Sequence, residues 1–123
     1  EKIEGIITHP KKQTGELEGQ VSRYLRKNLK HELPSAQQAA NHFYMSLSAF
    51  KKRLRFEHTC YQKTCDQVRY KRCKELMRKD SMAIKEVAFE LGFTNASTFN
   101  RAFKRWAGES PSEYKKRSRK DLA

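Results

Sequence analysis

Ile84-Lys85-Glu86-Val87-Ala88-Phe89-Glu90-Leu91-Gly92-Phe93, followed by Thr94, Asn95 and Ala96-Ser97-Thr98-Phe99-Asn100-Arg101-Ala102-Phe103-Lys104-Arg105-Trp106-Ala107-Gly108, is the stretch that decides the fold. Ile84, Val87, Ala88 and Leu91 recur at helical spacing and predict a short amphipathic helix. Gly92 ends it, because glycine takes the left-handed turn at no steric cost. Asn95 is an N-cap for a second helix, on which Phe99, Phe103 and Trp106 fall at i, i+4 and i+7. The opposite face of that helix carries Ala96, Ser97, Asn100, Arg101 and Lys104. Gly108 closes it, and Ser110-Pro111-Ser112-Glu113 starts another with an N-cap, a proline at N1 and a glutamate at N3.

Working back toward the N-terminus, the same arrangement recurs. Ser35-Ala36-Gln37-Gln38 is a capping box for a short helix running to about His42, with the small residues Ala39 and Ala40 inside it. A turn around Phe43–Met45 leads to Ser46, a second N-cap, and to a helix over about 47–57. That helix puts Leu47, Phe50 and Leu54 on one side and Ser48, Lys51, Lys52 and Arg55 on the other. Leu17, Val21, Leu25 and Leu29 place a further helix over 16–31, and Leu33-Pro34 breaks it. Between the two repeats, residues 62–79 read as a basic helix with a thin stripe of Val68, Cys73, Leu76 and Met77. No strand pattern competes. The fold class is all-α, with seven helices.

The organisation expected is a linker or remnant of a preceding domain over 1–15, a first helical unit over 16–61, a linker helix over 62–80 and a second unit over 81–118. A basic tail over 119–123 follows. At 123 residues the chain suits one domain better than two independent ones. It opens with Glu1 rather than methionine, and is therefore expected to be a fragment of something longer.

Composition narrows the function. There are 27 Lys+Arg against 14 Asp+Glu, a formal charge of +13. So large a basic excess on so small a body favours an anionic partner, nucleic acid first. Seven Phe, five Tyr and a Trp argue for a packed core and against a disordered basic chain. No apolar run approaches the ~20 residues needed to cross a bilayer. Cys60, Cys65 and Cys73 lack the paired C-x2-C spacing of structural zinc sites, so they read as reduced thiols and no metal or cofactor is expected. His9, His31, His42 and His58 stand near no acid or nucleophile at a catalytic spacing, and nothing supports an enzyme.

A short helix, a tight turn and a longer helix with an apolar inner face and a polar outer face make a helix-turn-helix, whose second helix enters the DNA major groove. The crossing of the two helices needs a small residue in the first: Ala88 in the second unit, Ala39 or Ala40 in the first. Asn pairs bidentately with adenine and Arg with guanine, so Asn100 and Arg101 are the expected base readers. Lys51 and Lys52 suit guanine or phosphate equally. The rival reading, a helical protein-interaction adaptor with non-specific nucleic-acid affinity, leaves these faces merely solvated.

The stretch 84–93, with Ser97-Thr98-Phe99-Asn100-Arg101-Ala102-Phe103-Lys104-Arg105-Trp106 and Gly108-Glu109-Ser110-Pro111-Ser112-Glu113-Tyr114, resembles the signature of the AraC/XylS family of bacterial transcription regulators. Pro34-Ser35, Ala39-Ala40, Met45-Ser46, Phe50 and Leu54 match it in the first unit, and the resemblance covers about residues 19–117. It implies a homeodomain-like, seven-helix domain in which two recognition helices enter successive major-groove segments of double-stranded DNA. By position, Ser46, Ser48, Lys51, Lys52 and Arg55 would face DNA from the first unit, and Asn95, Ala96, Ser97, Asn100, Arg101 and Lys104 from the second. The resemblance also implies a cytoplasmic activator that contacts RNA polymerase and carries an N-terminal sensing or dimerisation domain. Four positions depart from the family pattern: Ser48 is small and neutral where relatives often carry a larger base-reading side chain, and Ala96 offers only a methyl contact. Tyr44 stands where a turn glycine is common, and Thr59 replaces the glycine expected after the first recognition helix.

Overall fold

The computed structural model describes residues 15–30, 32–79 and 81–122, with no side chains described beyond Arg117. The linker expected over 1–15 therefore lies, Gly15 apart, outside the described residues. Among the described residues there are seven helices and no strand: α1 Glu16–Lys27, α2 Ala36–His42, α3 Leu47–Phe56, α4 Tyr61–Met77, α5 Ile84–Glu90, α6 Ala96–Ala107 and α7 Pro111–Leu122. They group into two compact units, one of residues 15–27 and 34–65, the other of 28–33 and 66–122.

In the first unit, Leu17, Val21 and Leu25 of α1 are buried with Ala39 and Ala40 of α2 and Phe50 and Leu54 of α3. Aromatic rings run beside this core: Tyr24 stacks on His42 with ring centres 4.0 Å apart, Phe43 lies 6.4 Å from Phe50, and Phe50 lies 5.9 Å from Tyr61. The Tyr61 hydroxyl donates to the Pro34 carbonyl at 2.6 Å and ties the start of α4 to the break before α2. The expected capping box forms: Gln38 N–H donates to Ser35 Oγ at 3.1 Å, and Ser35 N–H to Gln38 Oε1 at 2.8 Å.

The second unit is built round Cys73, Leu76, Met77, Val87, Ala88, Leu91, Phe99 and Phe103, with Tyr70, Phe93, Trp106 and Tyr114 packed against them. The thin apolar stripe of α4 is thus its buried face. The second cap also forms, with Glu113 N–H on Ser110 Oγ at 3.1 Å and Ser110 N–H on Glu113 Oε1 at 2.9 Å. The Ser110 backbone N–H first, and the Ser110 hydroxyl second, hold the Glu113 carboxyl below its ordinary range, because hydrogen bonds to a carboxylate favour its charged form.

Two expectations need correction. The first helix stops at Lys27, not 31: Leu29 is buried in the turn that follows, and Lys30 pairs with Glu90 at 3.6 Å. Helix α4 covers the stretch expected as the linker helix, and its first turns group with one unit and the remainder with the other. The last helix, expected to dissolve into a basic stretch over Lys115 to Lys120, continues to Leu122. Lysine and arginine are good helix formers, and cations at a helix C-terminus complement its dipole.

Candidate nucleic-acid interface

Each unit contains a short helix, a turn and a longer helix, and the hydrogen bonds of the two turns superimpose by sequence position. Tyr44 N–H donates to the Asn41 carbonyl at 3.0 Å and Met45 N–H to Ala40 at 2.9 Å. Gly92 N–H donates to Phe89 at 3.0 Å and Phe93 N–H to Ala88 at 3.1 Å. Ala40 and Ala88 are therefore equivalent, which decides between Ala39 and Ala40 as the crossing position. Tyr44 is equivalent to Gly92, and both have positive φ, 58° and 83°.

Helix α3 begins at Ser46, whose Oγ accepts Ala49 N–H at 3.1 Å. Burial of Phe50 and Leu54 rotates Ser48, Lys51, Lys52 and Arg55 outward, and all four are exposed. Helix α6 begins at Asn95, whose Oδ1 accepts both Thr98 N–H at 2.9 Å and Thr98 Oγ1–H at 3.0 Å. Phe99, Ala102 and Phe103 are buried, and Ala96, Ser97, Asn100, Arg101 and Lys104 are exposed. The acceptor atoms of Ser46 and Asn95 are thus committed to caps, leaving the hydroxyl proton and the amide NH2 to donate outward, which suits phosphate oxygens.

The charges on these helices sort into two sets. Arg53 donates to Glu57 at 3.1 Å, and Arg105 to Asp66 at 2.9 Å. The side chains of Lys51, Lys52, Arg55, Asn100 and Arg101 make no hydrogen bond or ion pair with other described residues. Those five side chains are unengaged, whereas Ser46 and Asn95, also singled out in the sequence, serve as caps.

Residues that local sequence did not point to hold this framework. Arg69 on α4 donates to the Leu91 carbonyl at 3.2 Å, and its guanidinium lies 4.2 Å from the Phe93 ring centre, so it clamps the turn that precedes α6. Glu57 is buried at the end of α3, 8% exposed. The left-handed residue after α3 is His58 (φ 65°) and not Thr59. The β-branched threonine fits that conformation poorly. His58 N–H bonds Arg55 and Thr59 N–H bonds Leu54, each through the carbonyl, which completes a Schellman end one residue earlier than the sequence suggested.

A family profile described as a helix-turn-helix domain matches residues 39–117, across both units. The chain belongs to the AraC-type helix-turn-helix family. It is a sequence-specific DNA-binding domain of the transcription-regulator kind. Over 103 residues it is 33% identical to the HTH-type transcriptional regulator GadX of Escherichia coli K12, covering 84% of this chain and 37% of that one. A crystal structure of a DNA-binding transcriptional dual regulator from Escherichia coli K-12 matches with a TM-score of 0.79 and 30% identity, over 86% of this chain and 95% of that one. The DNA-binding domain of the global transcriptional factor AdpA, solved with a target DNA, shares the fold. Its TM-score is 0.75 at 22% identity, over 87% of this chain and 96% of that one. The chain spans 24 to 37% of the length of curated relatives that it matches. Among the described residues no helix is long and apolar enough to cross a membrane, and no group of His, Cys, Asp or Glu has metal-binding geometry.

Proposed function

We propose that α3 and α6 enter successive major-groove segments of one duplex, with Asn100 and Arg101 reading base edges. In this reading Lys51, Lys52, Arg55 and Lys104 hold phosphates or guanine, Ser46 and Asn95 donate to phosphates, and Ser48, Ala96 and Ser97 line the groove. The observation that carries it is the outer face of α6: Asn100 and Arg101, exposed and unengaged, on a helix whose other face is locked by Phe99 and Phe103. Asn and Arg are the two side chains that recognise adenine and guanine bidentately. The role is binding and not catalysis. Family membership supports a cytoplasmic bacterial activator with RNA polymerase as a partner and an N-terminal sensing or dimerisation domain.

Selection of random duplex DNA on the protein tests this. The expected result is a motif of two short blocks about one helical turn apart. Binding without a motif would mean that the domain only grips the backbone. A protein adaptor would instead tolerate Asn100 and Arg101 substitutions and depend on exposed apolar residues such as Phe56 and Phe89, 80% and 68% exposed.

A further inference from the structure

Phe50 and Leu54 seat α3 by apolar burial, which is non-directional, whereas hydrogen bonds to a charged group fix direction as well as contact. Directional bonds between α3 and α1 come from one group. The Glu57 carboxylate, buried just past the last turn of α3, accepts Glu18 N–H on Oε1 at 2.9 Å. On Oε2 it accepts Leu17 N–H at 3.3 Å and Arg53 Nε–H at 3.1 Å. The first two are orphan amides at the N-terminus of α1, so a side chain at the C-terminal end of α3 caps α1 and ties the two helices together. The backbone makes room for it. Gly15 has φ +88°, and a Cβ there would collide with both Cδ and Oε1 of Glu57. Glu18, in the same turn, feels the arrangement: burial first and the Glu57 charge second raise its carboxyl above the ordinary range.

We propose that Glu57 is the positioning residue of the first recognition helix, fixing α3 at the depth and register its DNA contact requires. The proposal rests on the DNA-binding reading above. Glu57 touches no DNA; it acts through α3, with α1 as the anchor. The pairing also withdraws Arg53 toward Glu57 and leaves Lys51, Lys52 and Arg55 as the helix's outward cations.

The contact can be broken from either side. Glu57→Gln keeps size and shape but leaves one of the three donors without an acceptor. Gly15→Ala leaves Glu57 intact and drives a methyl group into its carboxylate. Gly108→Ala is the control: Gly108 has φ +81°, but a methyl group added there would meet nothing within 4 Å, so it brings backbone strain without a clash. The measurement is hydroxyl-radical footprinting and affinity on the duplex selected by the native chain, at a temperature where each variant keeps native far-UV circular dichroism. Lys52→Ala and Arg101→Ala assign the two footprint halves to α3 and α6. Both Glu57→Gln and Gly15→Ala are expected to lose protection over the α3 half and about tenfold in affinity, while the α6 half stays protected. Gly108→Ala should keep the α3 half. Variants with native helicity and an unchanged α3 footprint would overturn the proposal, as would equal loss over both halves. A native chain that gives no footprint at all would sink the DNA reading instead.

Discussion

Arg101 and Tyr44 are exposed residues with opposite accounts to give of themselves. Arg101 sits in ordinary helical backbone with its guanidinium unengaged by other described residues, as a base reader must before DNA arrives. Arg101→Ala is expected to relax preference at one base pair and to cost ~1–3 kcal/mol of specific binding, read by repeating the selection on the variant. Uniform weakening on every sequence would make it a phosphate contact. Tyr44 is strained: φ is 58° and the side chain is 98% exposed, so nothing in the fold offsets a conformation that costs an L-residue roughly 1–2 kcal/mol. Gly92 at the equivalent turn has no such cost. Tyr44→Gly should therefore stabilise the first unit, by up to about 1 kcal/mol once glycine's larger unfolded-state entropy is subtracted. Urea denaturation checks it, and a lower midpoint would mean that the phenol ring contributes packing.

At the scale of the element, α6 shows how one helix holds a core and presents a surface. Phe103 is wholly buried and touches Tyr70, Phe99, Trp106 and Tyr114. Trp106, placed on the same inner face by its spacing, is only partly buried, and its indole N–H is enclosed with no hydrogen-bond partner among the described residues. Phe103→Ala is thus expected to cost about 3–5 kcal/mol and to unfold the second unit first. Trp106→Ala should cost less, and equal losses in thermal melts would show that Trp106 is the true keystone. The periodicity of α6 was readable in the sequence because a helix repeats every 3.6 residues and its buried face must be apolar. The same reasoning found the caps at Ser35, Ser46, Asn95 and Ser110, since a cap is a bond between residues three apart. It could not find Arg69 or Glu57, whose partners lie 22 and about 40 residues away.

For the whole molecule, the excess of cations over anions predicts a binding constant governed by salt. If four of the five outward cations Lys51, Lys52, Arg55, Arg101 and Lys104 meet phosphates, log K should fall against log salt with a slope of about −4, roughly a 200-fold loss between 50 and 200 mM. Lys51→Ala with Lys52→Ala should make that slope shallower by about 2. A slope near zero would favour the adaptor. By itself the sequence determined the helical class, the duplicated helix-turn-helix, the faces of α3 and α6 and the anionic partner. Those follow from period, caps and charge, which act between neighbours along the chain or sum over its whole length. Only the tertiary structure decided that α1 ends at Lys27, that α4 divides between the two units, that His58 and not Thr59 turns left-handed, and that a buried carboxylate ties α3 to α1. Each depends on which distant residues meet when apolar faces close, and no local pattern encodes that.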